Sequence, residues 1–184
     1  MKTIACLAWG SLTWDPGELP IRRKWYDDGP MVRVEFLRRS NGGRLTLVLH
    51  KSALPVRSLW ALMDLNEIEP ARKALRARER IGRDKPDNWI GSWKIGDAAP
   101  DCIIGLAAWA ASHGLDAVIW TALPAKFHGN DGENPSEKDA VRYLENLRGA
   151  ERDAAERYIR RAPKQIDTEY RRRFEAAFGW TYQE

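Results

Sequence analysis

The chain has 184 residues and a formal net charge of +4, and 43% of its residues are hydrophobic. This size fits a single domain that can bury enough apolar surface to need no disulfide or metal staple. The composition excludes a disordered chain, and no apolar run approaches the roughly 18 residues of a membrane span. We therefore expect a cytoplasmic protein with no secretion signal and no contact with a membrane.

The cysteines and histidines do not indicate a metal centre. Cys6 and Cys102 each lie in an apolar run, which is typical of buried free thiols in a reducing compartment. The histidines, His50, His113 and His128, are far apart and show no metal-ligand spacing. We expect no metal and no other cofactor.

The first part of the chain predicts strands, a hairpin and one helix. Residues 3–8 predict a buried strand, and residues 58–65 predict another. Residues 31–52 alternate apolar and polar side chains on either side of an Asn-Gly-Gly turn, which is typical of a β-hairpin. A helix is predicted from Pro70 to Gly82, because proline suits the first helical turn and glycine suits the end.

The middle of the chain predicts a loop, a helix and a strand. Residues 83–101 are rich in Asp, Pro, Gly and Lys and predict a long loop, whose role stays open and could be that of a lid. Residues 101–114 favour a mostly buried helix that ends at Gly114. Residues 115–123 predict a strand.

The last third predicts helices. Ser136 and Asp139 have the spacing of a helix-capping pair, and helical periodicity follows to residue 147. Two further helices are predicted over 150–162 and 167–178. Strands early and helices late predict an α+β fold with a small mixed or antiparallel sheet. We expect one domain over 1–184, on which the helical part, 136–184, packs.

Three stretches of the chain carry a resemblance to a known family. AWGSLTWDPG, at 8–17, contains a Gly-Ser-Leu loop and then a Trp-x-Pro turn. ALRARERI, at 74–81, contains Arg-Glu near the end of the predicted helix. AVIWTALPAKFHG at 117–129 and AVRYLENL at 140–147 give a strand, a Pro-bearing loop and a Tyr-Leu helix. In this order the stretches resemble the gamma-glutamylcyclotransferase family, in particular its ChaC-type branch.

The resemblance implies a small mixed or antiparallel β-barrel flanked by helices. It implies an enzyme that releases 5-oxoproline from a gamma-glutamyl amide or peptide without a cofactor, with Glu79 as the acid/base. The substrate-binding residues that it implies are Trp9, Gly10, Ser11, Leu12, Trp14 and Tyr143. Trp9 stands where the family has tyrosine, which leaves the activity and the particular gamma-glutamyl compound open.

This chemistry requires a sheltered proton carrier. The substrate's own α-amine attacks its γ-carbonyl, so one carboxylate can take a proton from the amine and return it to the leaving amine. Such a group works near neutral pH when it is removed from water. We therefore expect Glu79 to point into an apolar, aromatic-lined cavity, with Arg76, Arg78 and Arg80 turned away from it.

Each site residue also has a plain structural interpretation. A glutamate in an Arg-rich helix is usually a solvated ion-pair residue. Gly10-Ser11 could be an ordinary strand-to-loop turn. Trp9 and Trp14 suit a packed core, and Tyr143 lies on the apolar face of its predicted helix. The exposure of Glu79 separates these interpretations, because an exposed, ion-paired glutamate is a poor acid/base.

Two other function classes remain open. The same fold could bind a small amide or carboxylate without catalysis. A nucleic-acid-binding protein is the less favoured alternative, since residues 148–173 hold nine Lys/Arg and five Asp/Glu and so carry the whole net charge. Several of these charges, such as Glu156 with Arg160 and Asp167 with Arg171, have the i,i+4 spacing of a self-neutralising helix face. The oligomeric state stays open, a homodimer included.

Overall fold

A computed structural model describes residues 2–22 and 24–184, and these form an α+β structure. The strands are β1 (Ile4–Ala8), β2 (Met31–Arg39), β3 (Leu45–Leu49), β4 (Pro55–Arg57), β5 (Leu59–Leu62), β6 (Ile90–Lys94), β7 (Ile103–Ile104), β8 (Ala117–Thr121), β9 (Lys126–Phe127) and β10 (Asn130–Asp131). The helices are α1 (Ile68–Arg78), α2 (Leu106–Ser112), α3 (Glu137–Asn146), α4 (Gly149–Arg161) and α5 (Glu169–Phe178). None of the helices in these described ranges has the length and apolarity that crossing a bilayer requires.

The contacts group the chain into two compact units. The first takes the described residues of 1–32 together with 57–123, and the second takes 33–56 together with 124–184. Each unit therefore combines segments that are distant in sequence. The prediction of one domain over 1–184 stays a prediction.

The first unit is built on a four-stranded mixed sheet in the order β5-β1-β8-β6. β1 runs antiparallel to β5 and parallel to β8, and β8 runs antiparallel to β6. All five residues of β1 are buried, as expected for a central strand that is covered on its faces. Cys6 of β1, Leu75 of α1 and Ile119 of β8 share one apolar core, so α1 covers this sheet.

The second unit contains the β2–β3 hairpin from residue 33 onward and three helices. The antiparallel pairing of Val34 with Leu49 and of Arg39 with Leu45 confirms the predicted hairpin, and Asn41–Gly43 form its turn. The capping box at Ser136 and Asp139 is confirmed at the start of α3. α5 ends at Gly179, whose φ of +70° suits glycine, so that predicted boundary is also confirmed.

The segment 83–101, which the sequence predicts as a long loop, contains the strand β6. It is not a continuous loop, because Ile90–Lys94 pair with β8 along their whole length. Glycine and serine favour strands weakly, which hid this strand in the sequence. The helix predicted over 101–114 begins only at Leu106, since β7 pairs with Met31 and Val32 before it.

Candidate functional site

The Gly-Ser stretch forms a tight turn directly after β1. Ser11–Thr13 make one turn of 3₁₀ helix, in which the Thr13 N–H donates to the Gly10 carbonyl at 3.0 Å. The Leu12 side chain is buried in the same core as Leu75 of α1, and it fixes the turn to the first unit. The N–H groups that open such a turn have no partner inside it, so the backbone of Gly10, Ser11 and Leu12 suits an anionic ligand.

The end of α1 brings Glu79 to the same region of the first unit. α1 ends one turn earlier than the predicted Gly82, because the chain leaves the helix at Arg80, with a φ of +54°. The Ile81 N–H donates to the Arg76 carbonyl and the Arg80 N–H to the Ala77 carbonyl, which is a Schellman motif. This cap sets the direction in which the chain leaves the helix at Glu79, the C-cap residue.

Arg78 connects Glu79 to the Gly-Ser turn. Its Nη1 donates to Glu79 Oε1 at 2.7 Å, and its Nη2 lies 3.4 Å from Ser11 Oγ. Its Nε donates to the Asp15 carbonyl at 3.1 Å, and Nη2 contacts the same oxygen. The side chains of Arg78 and Glu79 are only 12% and 15% exposed, so this ion pair is sheltered from water.

The arginines around Glu79 behave differently from one another. Arg76 turns away, since its guanidinium donates to the carbonyls of Gly82, Lys85 and Pro86. Arg78 does not turn away, so the expectation that these arginines clear Glu79 is wrong for Arg78. Sheltering of Glu79 is confirmed, whereas the aromatic-lined cavity around it stays a prediction.

The charge of Glu79 acts on the nearby thiol of Cys6. The thiol is fully buried, and burial raises the pKa of Cys6 above its ordinary value. The negative charge of Glu79 raises the pKa of Cys6 further, whereas Arg78 lowers it. Cys6 is therefore a protonated core residue beneath the site and not a nucleophile.

The aromatic residues that the resemblance implies have different environments. Trp9 is 5% exposed and packs as a core residue, whereas Trp14 is half-buried beside the turn. Tyr143 belongs to the second unit, where its hydroxyl donates to the Gly43 carbonyl at 3.0 Å and its ring packs against Phe127. Burial raises the pKa of Tyr143. The Tyr143 hydroxyl thus has a structural partner within its own unit.

Asp28 is the centre of a polar and aromatic cluster that the sequence interpretation missed. Its Oδ1 accepts a hydrogen bond from Trp60 Nε1 at 2.8 Å, and its Oδ2 lies 3.2 Å from His113 Nε2. Trp109 Nε1 donates to the Asp28 carbonyl, and Tyr26 stacks on Trp60 at 4.6 Å. The hydrogen bonds from Trp60 and His113 lower the pKa of Asp28. These residues come from three segments that are far apart in sequence, so no local pattern could reveal the cluster.

The basic C-terminal segment is partly neutralised within the second unit. Arg160 pairs with Glu156 at 2.8 Å, as its spacing predicts. Asp167 pairs with Arg172 at 2.8 Å, and not with Arg171, as the i,i+4 spacing had suggested. Arg171, a residue of α5, is instead buried, and its Nε lies 3.4 Å from Oε1 of Glu175 on the same helix. Buried and paired cations are less available to a polyanion.

Comparisons with known proteins give no relative for this chain: no family model, no curated protein and no solved structure matches it. Within the described residues, 2–22 and 24–184, no cluster of three or more His, Cys, Asp or Glu side chains is arranged to hold a metal ion.

Proposed function

We propose that the chain is a cytoplasmic, gamma-glutamylcyclotransferase-like enzyme, closest to the ChaC-type branch, that releases 5-oxoproline from a gamma-glutamyl amide or peptide. Its fold would then be the small β-barrel flanked by helices that the resemblance implies. The observation that carries the proposal is the sheltered Glu79 carboxylate, which Arg78 joins to the Gly10-Ser11-Leu12 turn. A carboxylate and a set of backbone N–H groups in one region are the two elements that the reaction requires.

In this reaction the lone pair of the substrate's α-amine forms a C–N bond to the γ-carbonyl carbon. Glu79 takes one proton from the attacking nitrogen and passes it to the leaving nitrogen, whose bond to the same carbon breaks. The N–H groups of the Gly10-Ser11-Leu12 turn bind the glutamyl end of the substrate. The attack is intramolecular, so a bent bound conformer supplies much of the rate enhancement.

The proposal is tested by incubating the protein with gamma-glutamyl amides, gamma-glutamyl dipeptides and glutathione and measuring 5-oxoproline. We expect at least one compound to yield product, and Glu79→Gln to lower the rate by about 10²- to 10⁴-fold. Glu69→Gln is the matched control, because Glu69 lies on the same helix with a 67% exposed side chain. We expect it to keep the full rate.

Two results would count against the proposal in different ways. Undiminished product from Glu79→Gln would remove Glu79 from the mechanism. No product from any compound with the unaltered chain would refute the activity itself. Thermal unfolding of each variant, followed by circular dichroism, separates loss of the site from loss of the fold.

Binding without catalysis is a second candidate, and the ion pair between Arg78 and Glu79 favours it. While Oε1 of Glu79 accepts a hydrogen bond from Arg78, that oxygen is not free to contact a substrate amine. If the second candidate is correct, gamma-glutamyl compounds bind to the unaltered chain in calorimetry but no 5-oxoproline forms.

A further inference from the structure

Arg78 and Glu79 present a sheltered positive charge beside a sheltered negative charge. Their charged atoms, Nη1 and Oε1, are 2.7 Å apart. An α-amino acid carries its own pair of opposite charges on one carbon atom, with the carboxylate next to the ammonium. The two side chains are thus complementary to the α-carbon end of a free glutamyl group, in charge and in spacing.

We propose that Arg78 binds the free α-carboxylate of the glutamyl substrate and thereby releases Glu79 to accept a proton from the neighbouring α-ammonium group, which leaves the neutral amine that attacks the γ-carbonyl carbon. This inference rests on the proposed function and names what the substrate must carry. Arg78 is the specificity residue, and a gamma-glutamyl compound whose α-carboxylate is blocked is a poor ligand.

The bonding of Arg78 leaves room for this exchange. An arginine has five N–H groups, and a carboxylate prefers to bind two of them at once. Glu79 Oε1 accepts a hydrogen bond from one N–H of Nη1. The Asp15 carbonyl accepts from the N–H of Nε and from one N–H of Nη2. The remaining contact, from Nη2 to Ser11 Oγ at 3.4 Å, is long for a hydrogen bond. A ligand carboxylate can therefore gain contacts at Arg78 that Glu79 does not make.

Losing the Glu79 partner does not detach Arg78 from its surroundings. Glu79 is its immediate neighbour in sequence, so their ion pair ties no distant segments together. The Asp15 carbonyl, which lies just after the turn, holds the guanidinium in place instead, through Nε and Nη2. The Coulomb attraction of a sheltered pair is largely offset by the desolvation of both groups, so replacing one carboxylate by another changes the free energy little.

The test compares two ligands that differ only at the α-carbon. These are gamma-L-glutamyl anilide and the same compound with its α-carboxylate converted to a carboxamide. Binding is measured by calorimetry and by tryptophan fluorescence in the Glu79→Gln protein, which prevents turnover. We expect the acid to bind at least about tenfold more tightly than the carboxamide, as the loss of a charge-assisted hydrogen bond predicts.

Substitutions at Arg78 then assign this preference. In the Glu79→Gln background, Arg78→Gln should bind both ligands equally, and Arg78→Lys should keep part of the preference. Arg76→Gln is the matched control, because Arg76 lies on the same helix but contacts carbonyls away from Glu79. It should keep the full preference. If the Arg78 variants do not fold, the two ligands still decide the question in the protein that retains Arg78.

The outcomes separate this inference from the proposed function. Equal binding of the two ligands, or binding of neither, overturns the role of Arg78, even if the unaltered chain makes 5-oxoproline. A clear preference for the acid without any 5-oxoproline refutes the enzyme activity and leaves Arg78 as the carboxylate-binding residue of a binding protein.

Discussion

The hydrogen bonds to the Asp28 carboxylate make the stability of the folded chain depend on pH. Trp60 and His113 both hydrogen-bond to this carboxylate, and these bonds lower the pKa of Asp28 below its unfolded value of about 3.9. A group with a lowered folded-state pKa stabilises the protein above the unfolded pKa. That stabilisation disappears as the pH falls through the folded-state pKa.

We predict that Asp28→Asn lowers the free energy of unfolding near pH 7 and that the difference from the unaltered chain shrinks toward pH 3. Asparagine keeps an oxygen for the Trp60 indole, so the substitution removes mainly the charge. Asp28 is 60% exposed, so we expect a modest effect. Urea unfolding at several pH values measures it. Asp101→Asn, at an exposed position, serves as control, and a pH-independent difference at Asp28 would contradict the prediction.

Only part of the candidate site follows from local sequence. The turn at Gly10-Ser11 and the position of Glu79 near a helix end came from short motifs, and they lie in one region because Leu12 and Leu75 share a core. The contacts of Arg78 with Ser11 and Asp15 could not be predicted, since they depend on how α1 packs. The Asp28 cluster likewise joins residues that meet only after folding.

Among the strands, β6 depends on a glycine at a close contact. A Cβ atom at Gly91 would lie 2.1 Å from Nε1 of the Trp120 indole on the paired strand β8. Only glycine leaves space for this buried indole. We predict that Gly91→Ala destabilises the chain by about 1 to 3 kcal/mol, as overpacking of a core does. The midpoint of urea unfolding measures this loss.

A second substitution tests whether the indole is the cause. In a Trp120→Phe background the ring is smaller and lacks Nε1, so Gly91→Ala should be less harmful there than in the unaltered chain. Neighbouring positions couple in this way when one steric contact connects them. If the losses of unfolding free energy from Gly91→Ala and Trp120→Phe simply add, the glycine is required by the backbone conformation and not by the contact with the indole.

The strength of each local pattern explains which helices and strands were predictable. The β2–β3 hairpin has clear alternation and an Asn-Gly turn, and α3 has a complete capping box. The strand β6 has neither, because its sequence, IGSWK, mixes weak strand formers with a glycine that tertiary packing requires. The end of α1 was misplaced because Arg80 adopts a positive φ that usually belongs to glycine.

For the chain taken together, the net charge of +4 raises the question of polyanion binding. The segment 148–173 supplies this charge, yet several of its cations have partners within the second unit. Arg160 pairs with Glu156, Arg172 with Asp167 and Arg173 with Glu137. Arg152 lies over the Phe178 and Trp180 rings. A cation that already has an acidic or aromatic partner gains less from a phosphate than a free one does.

We therefore predict weak binding to nucleic acid that salt removes. In fluorescence anisotropy with a short labelled DNA duplex and a short labelled RNA, we expect a Kd no tighter than about 10⁻⁶ M at about 0.15 M salt, the range of non-specific contacts. Binding should strengthen steeply when salt is lowered, because it arises from counterion release alone. Lys164→Glu, at an exposed position of the segment, should weaken the low-salt binding slightly. Tight binding that persists at 0.15 M salt would favour the nucleic-acid alternative, since it requires a defined interface beyond charge.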